Sequence, residues 1–249
     1  MFSGTILMSN RIVALLVPLA IALPFTATAQ RGPDTRPGIA VLPFSQGISI
    51  GTERETLDAL SVGLQQILIT ELSQNPAMRV VDRSVIKDII AEQDLGASGR
   101  VDAGTAAKVG KLVGARYVFT GGFNDVNKDF RLDGRIVDVE TGEIVKADQV
   151  TGKRDELYGI VMDMAQRITR GLNLPPLSGA VRQEREERRS EVPREAVILY
   201  SQAQYFQDRG RTDRAKELYE RITKEFPRLT EAKEALRRIE NPPSAKTKP

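Results

Sequence analysis

The sequence predicts an α/β fold, a mixed β-sheet with helices packed on it, followed by a small all-α helical segment. Short apolar runs typical of buried strands alternate with stretches in which apolar residues recur at helical spacing. Thr141-Gly142 separates two strand-like stretches, as in an antiparallel hairpin. Beyond residue 193 only helical patterns recur. With 41% hydrophobic residues among 249, the chain can bury at least one core.

Residues 1–29 are typical of a cleavable signal peptide. Arg11 precedes an apolar run from Ile12 to Leu23, and Ala27-Thr28-Ala29 offers a cleavage site. The run is shorter than the about 20 apolar residues that cross a bilayer. We therefore expect a periplasmic protein cut near Ala29, without an integral membrane segment in the mature chain. Peripheral attachment to the outer membrane is left open.

A strand–helix–strand unit comes next. Ile39 to Phe44 is predicted as a buried strand that Pro43 ends. Thr52 to Glu55 fits a capping box at the start of a long amphipathic helix, which ends before Asn75-Pro76. Met78 to Asp82 is the second strand, and this order predicts a parallel pair.

Two helices and a strand follow between Arg79 and Gly122. Ser84 is the expected N-cap of the first helix, which Gly96 stops, and Asp102 is the expected cap of the second, which closes at Gly114. Tyr117 to Thr120 is a short buried strand.

An antiparallel hairpin and a helix complete the predicted domain. Phe130 to Val139 and Glu143 to Val150 form the hairpin, so the sheet is mixed. A helix from about Asp155 to Leu172 carries apolar residues on one face.

Three stretches of this domain, in order, carry a family resemblance. They are IAVLPF from Ile39, VVDRSVIKDIIAEQDLGASG with TAAKVGKLVGARYVFTG from Val80, and RIVDVETGEIV from Arg135. Over roughly residues 39–172 the chain resembles the curli-secretion (CsgG-type) family of bacterial envelope proteins. The positions that carry the family pattern, with an expected structural role, are Pro43, Phe44, Asp82, Arg83, Ser84, Glu92, Gln93, Gly96, Gly114, Asp138, Gly142 and Glu143.

The resemblance implies a CsgG/TolB N-terminal-like fold and a part in envelope assembly or secretion. It also implies that the best-known member forms a pore, for which each subunit inserts two β-hairpins. Here the corresponding connections, Asn124 to Asp129 and Thr151 to Arg154, are short and polar, whereas one membrane-crossing strand takes about 9 to 11 residues. We therefore expect no pore of its own. The chain has no cysteine to carry a lipid anchor, which favours a soluble protein.

The C-terminal part differs in composition. Residues 39–174 form the predicted α/β domain, and residues 175–193 a charged linker, for which a solvated linker or exposed helix is favoured over a docking helix. Residues 194–240 are similar to one tetratricopeptide repeat, and residues 241–249 have the composition of a disordered tail. The repeat positions expected to serve protein binding are Leu199, Ala203, Phe206, Ala215, Tyr219 and Pro227.

One repeat is too short to bury a core, so it should pack on the first domain, on another copy or on a partner. Truncation after Leu174 is expected to leave a folded α/β domain.

Composition argues against several kinds of chemistry. Without His or Cys the chain lacks the usual nucleophile–base pairs and zinc ligands, and we expect no catalytic residue, metal or cofactor. Asp138 and Glu140 are favoured as solvated turn residues over an acid/base pair. Gly104 and Gly110 lack the spacing of a phosphate-binding loop. A net charge of +3 without a basic patch argues against nucleic acid.

The sequence thus favours a non-catalytic periplasmic scaffold of an envelope assembly or secretion system, related to curli export. Its expected partner is another envelope protein, and a homo-oligomer is left open. The alternative is a regulatory module that binds and activates a periplasmic cell-wall enzyme, as LpoB-type domains are taken to do. A carboxylate-based hydrolase is the least favoured hypothesis.

Overall fold

A mixed β-sheet is the centre of the computed structural model, which describes residue 1, residues 34–92 and residues 102–242. Its described strands are β1 Gly38–Val41, β2 Ser45–Ser49, β3 Arg79–Val80, β4 Tyr117–Val126, β5 Asp129–Asp138 and β6 Ile144–Lys153. They are ordered β3-β1-β4-β5-β6, and β2 also pairs with β4. The strands β1, β2 and β3 run parallel to their partners, whereas β4, β5 and β6 are antiparallel, so the predicted mixed sheet is confirmed.

Helices pack on both faces of this sheet. The described helices are α1 Arg54–Ser73, α2 Arg83–Glu92, α3 Ala103–Leu112, α4 Leu157–Gly171, α5 Gly179–Glu191, α6 Arg194–Asp208, α7 Thr212–Glu225 and α8 Thr230–Glu240. One apolar cluster joins α1 and α4 to the face that carries Phe119 and Phe123. A second cluster joins α2 and α3 to the face that carries Val118 and Val137. The predicted fold class, a sheet with packed helices followed by helices alone, is therefore confirmed.

Two predicted helix caps are wrong. Thr52 does not cap α1, since its Oγ1 donates to Asp125 Oδ2 at 2.7 Å and the helix begins without a side-chain cap. Ser84 does not cap α2, because the backbone N–H of Ser84 donates to Asp82 Oδ1 at 2.8 Å and the helix begins one residue earlier. In the first case the threonine hydroxyl binds Asp125 instead of the helix end. In the second case Asp82 accepts the N–H at the start of the helix, where the sequence predicts Ser84 as the cap.

Other helix ends follow the prediction. The Thr105 N–H donates to Asp102 Oδ1 at 2.7 Å, so Asp102 caps α3. Gly114 follows α3 with a φ of +65°, the left-handed conformation that glycine adopts without strain. Gln93 and Gly96, with the predicted end of the preceding helix, lie outside the described residues.

Strands β4 and β6 are longer than the sequence indicates, whereas β1 and β3 are shorter than the predicted Ile39 to Phe44 and Met78 to Asp82. The polar strand β2 is missed entirely, because SQGIS has no apolar alternation. The connection predicted at Asn124 to Asp129 is mostly strand, since β4 and β5 pair along their whole length and only Asn127–Lys128 turn, with φ of 52° and 68°. Positive φ at both central residues suits the tight turn of a twisted hairpin. The predicted hairpin of β5 and β6 is confirmed, with Gly142 at a φ of +73°.

The C-terminal helices pack on the sheet-covering helix α1. From residue 36 onward the chain belongs to one compact unit, and residues of α6, α7 and α8 share the apolar cluster of α1 and α4. A Cβ atom on Gly63 would lie 1.9 Å from Ser201 Oγ, so glycine lets α1 and α6 approach closely. The sequence leaves three surfaces on which this segment could pack, namely the first domain, another copy or a partner. In the structure it packs on the first domain. No described helix is long and apolar enough to cross a membrane.

Candidate protein-binding site

A groove runs over the sheet face that α3 covers only at one end. Helix α3 packs on Val118 and Val137. Beyond α3 on the same face, parts of β2, β4, β5 and β6 line a groove of about 720 Å³. We call it the sheet groove and define it by residues 45–47, 120–124, 133–135 and 147–149. Because it crosses four strands, its shape is set by the sheet rather than by one loop.

Glycines shape the floor of the sheet groove. A Cβ atom on Gly122 would lie 2.5 Å from Ser45 Oγ, and one on Gly47 would lie 2.3 Å from Asn124 Oδ1. Both positions therefore need glycine for β2 to lie against β4. The same small residues leave the main chain accessible to a bound polypeptide.

The walls of the sheet groove are polar and carry both charges. Arg131 donates to Asp133 Oδ1 at 2.6 Å, a hydrogen bond that raises the pKa of the guanidinium. Arg135 on β5 lines the groove as well. Paired charges of both signs indicate recognition of polar, extended chain rather than burial of an apolar ligand.

Strand β6 forms an edge beside the groove. In the described part of the chain it pairs with β5 alone, and Ile144 and Val145 near its start are 48% and 47% exposed. On β2, at the other side of the groove, Ile48 is 68% exposed. An edge strand with exposed apolar side chains can accept another strand from a partner.

The residues of the predicted family pattern lie mainly in structural roles. Phe44 packs edge-on against Phe119, with ring centroids 6.0 Å apart, directly after Pro43. Arg83 donates to Asp208 at 2.6 and 3.0 Å and to Gln204 at 2.8 Å, and so joins α2 to α6. Glu92 and Ser84 are exposed. The partners of Arg83 are the part that sequence reasoning missed, since no local pattern indicates them.

Asp138 organises the turn between β5 and β6. It is buried, accepts the N–H of Glu140 at 2.9 Å and that of Thr141 at 3.3 Å, and pairs with Arg116 at 2.8 Å. Desolvation opposes its ionisation, but these N–H groups and Arg116 lower its pKa. Asp138 is therefore a turn residue, as predicted, but it is buried rather than solvated. Arg116 also binds Glu140, so the two carboxylates share one guanidinium.

One family model matches the part of the chain that ends in the middle of β5. The model, described as "Curli production assembly/transport component CsgG", covers residues 20–134. This match supports the CsgG-type family. Among curated proteins none matches the chain.

Several solved structures are similar to the chain at low identity. The LpoB C-terminal domain from Salmonella enterica is 19% identical, with 47% of this chain and 82% of that one covered and a TM-score of 0.36. TolB from Acinetobacter baumannii is 17% identical, with 57% and 30% covered and a TM-score of 0.38. Lipoprotein GNA1162 from Neisseria meningitidis is 14% identical, with 55% and 96% covered and a TM-score of 0.38.

The predicted repeat residues lie beyond the CsgG match, mostly in the interior of the C-terminal helices. Leu199, Ala203, Ala215 and Tyr219 are buried, and the Tyr219 ring lies 5.9 Å from that of Tyr200 between α6 and α7. Phe206 is half-buried and Pro227 is exposed. The buried four hold the helices together, so any partner would meet the outer faces. A tetratricopeptide identity and a binding role for this segment stay predictions.

A buried charge cluster connects the C-terminal helices to the sheet domain. We define it as Glu71 on α1, Tyr158 on α4, Arg185 and Arg188 on α5, and Glu231 on α8, each less than 9% exposed. Of its residues, Glu71 lies within the CsgG match and the others lie beyond it. Arg188 Nη1 lies 3.1 Å from Glu71 Oε1, and Arg185 Nε lies 3.0 Å from Glu71 Oε2. Residues 175–193 therefore contain a docking helix, the less favoured of the two predicted interpretations.

Tyr158 links the two carboxylates of this cluster. Its hydroxyl lies 3.1 Å from Glu71 Oε1 and 3.3 Å from Glu231 Oε1, and it accepts from Arg188 Nη1 at 3.0 Å. A hydroxyl has one proton to donate, so it serves one carboxylate at a time. Burial, together with the nearby charge of Glu71, raises the pKa of Glu231 to about 7.

Glu231 should make the stability of the protein depend on pH. The folded-state pKa lies above the unfolded value of 4.5, so the native state holds a proton that the unfolded chain releases. Stability should fall as pH rises from about 4.5 to 7, by about 3 kcal/mol, and level off above 7. Urea unfolding at several pH values measures this, and Glu231→Gln should remove the slope between pH 5 and 7. A slope that persists in the variant would assign the titration to another group.

Proposed function

We propose that this protein is a non-catalytic, exported scaffold of a cell-envelope assembly or secretion system, and that it binds another protein at the sheet groove. The observation that carries the proposal is this groove beside the edge strand β6, in a chain whose residues 20–134 match the CsgG model. The predicted signal peptide places the protein in the periplasm.

The groove geometry supports binding of a polypeptide rather than a small molecule. It crosses β2, β4, β5 and β6 and is open along the sheet, whereas small-molecule sites are mostly enclosed and apolar. The main chain of the edge strand β6, which pairs with β5 alone in the described chain, suits hydrogen bonding to an extended segment, and the charged side chains of the groove suit polar contacts to it. The exposed side chains of Ile144 and Val145 on the adjoining edge supply apolar contact area.

The short connections support a scaffold without a membrane pore of its own. Asn127–Lys128 alone join β4 to β5, and β6 leads directly into the 3-10 turn Arg154–Glu156 ahead of α4. Each of these strands is ten residues long and is paired within the sheet. Discrete channel openings by the purified protein in planar bilayers would contradict this part of the proposal.

Site-specific crosslinking tests the binding site. A photoreactive amino acid at Ala147, which is exposed in the groove, should crosslink one envelope protein in intact cells, whereas the same group at exposed Lys224 on α7 should not. Ala147→Arg should reduce co-purification of that protein at least about tenfold, because a long cation would fill the groove. Lys224→Glu is the matched control.

The identity of the crosslinked protein decides between the two functions. An outer-membrane or secretion component supports the scaffold, whereas a cell-wall synthase bound to the monomeric protein supports the regulatory module. Equal crosslinking from both positions, or none from Ala147, would contradict a binding site in the sheet groove.

A further inference from the structure

Two adjoining cavities lie away from the sheet groove, the larger between α1, α5 and α8 and the smaller between α1, α2, α6 and α8. Their volumes are about 510 and 290 Å³, and both are lined by Gln66, Asp82 and Arg238. Together they form what we call the helix cleft. Helix α1 packs on the sheet face opposite the groove, so the cleft and the groove are separate.

The walls of the helix cleft are two polar rows of matching length. Gln66, Thr70 and Gln74 lie one turn apart on α1, and Thr230, Glu234 and Arg238 lie one turn apart on α8. Each row extends over nine residues, and the eight steps between its ends cover about 12 Å at 1.5 Å per residue. An extended peptide of about four residues has the same length.

Two buried polar groups in the cleft have no partner. Gln66 is 8% exposed, lines both cavities, and its side-chain amide makes no hydrogen bond within the described residues. Arg188 is 4% exposed and lines the larger cavity, and its Nε is buried without an acceptor in the described chain. An amide donates and accepts at once, as a peptide main chain requires.

The charges of the cleft favour a cation. Asp82, Glu184 and Glu234 line it, and Glu184 forms no ion pair with any described residue. Glu234 lies 3.8 Å from Arg238, which is half exposed, and Arg188 is already paired with Glu71. Arg83, which lines the smaller cavity, is paired with Asp208. Each of the three arginines of the cleft therefore has a carboxylate partner, whereas Glu184 has no ion pair among the described residues.

We propose that the helix cleft binds an extended peptide segment of a partner protein, about four residues long, that carries a basic side chain. The Gln66 amide binds main-chain groups of the segment, and Glu184 pairs with its cation. This goes beyond binding at the sheet groove, because two separate sites let one molecule hold two partners together.

Peptide selection tests the cleft directly. The chain from residue 30 onward is used to select from a phage-displayed library of random heptapeptides, and enriched peptides are labelled for fluorescence anisotropy. The enriched peptides should share a Lys or Arg. Gln66→Ala and Glu184→Lys should each weaken binding at least about tenfold, since each removes one contact to the segment.

Matched controls separate the cleft from general effects. Gln183→Ala changes an exposed glutamine of α5 that lines neither the cleft nor the groove, and Glu186→Lys makes the same charge change as Glu184→Lys on an exposed position of α5. Both should bind like the parent, and thermal melts confirm that each variant is folded. Enriched peptides without a common basic residue, or binding that the two cleft variants leave unchanged, would overturn the proposal. Binding that appears only after residues 243–249 are deleted would also overturn it, because the chain's own lysine-containing tail would then be the occupant.

Discussion

Replacing Glu71 with alanine should lower the free energy of unfolding by about 3–5 kcal/mol. Glu71 is 2% exposed and is the carboxylate between Arg185 and Arg188, so its removal leaves two buried guanidinium groups without their counter-ion. The one carboxylate of the cluster left beside the Tyr158 hydroxyl would then be Glu231, whose ionised form burial disfavours. Urea unfolding followed by circular dichroism measures the loss.

Glu217→Ala is the control for this prediction. Glu217 pairs with Arg214 at 2.7 Å on the surface of α7, where both side chains are more than half exposed. Such surface pairs contribute about 0–1 kcal/mol. Replacing Glu71, Arg185 and Arg188 together with methionine should recover most of the stability, since no buried charge is then left unpaired. If Glu71→Ala lowers the free energy of unfolding as little as Glu217→Ala does, the cluster does not stabilise the docked helices.

Truncation after Leu174 should abolish cooperative unfolding, in contrast to the expectation from the sequence. The fragment lacks the helices that cover α1, including Ser201 opposite Gly63, and it lacks both arginines of the charge cluster. The expected loss is comparable to the whole stability of a typical domain, about 5–15 kcal/mol. Calorimetry and binding of a hydrophobic dye measure it.

Truncation after Pro242 is the matched control, and it should melt like the full chain because it keeps α5 to α8. A Leu174 fragment with a sharp transition near that of the control would support the predicted division at residue 174. That division stays a prediction until this is measured.

The elements that the sequence predicts well are those whose pattern is local. Helix α4 is predicted from Asp155 to Leu172 and observed at Leu157–Gly171, because one apolar stripe defines it. The hairpin of β5 and β6 is found because Thr141-Gly142 marks its turn. Asp102 caps as expected, since no other side chain competes for the same N–H group.

Features that depend on distant residues could not be predicted. Thr52 turns to Asp125 instead of its own helix, and Arg83 binds Asp208 across 125 residues of sequence. Helix α5 resembles a solvated segment because its charges alternate, and only the position of Glu71 shows that two of them are buried. The sheet groove depends on β2, which has no apolar signal at all.

The ion pair between Arg83 and Asp208 can form only after the 125 residues that follow Arg83 have been synthesised. A ribosome adding about 5–20 residues per second needs roughly 6–25 s to extend the chain across the 125 residues that separate them. Throughout that interval α1 lacks the helices that cover it, and pairings between such distant segments form slowly. The helices that cover α1 are therefore the last part of the described chain to be synthesised, so the whole sheet is made before its cover.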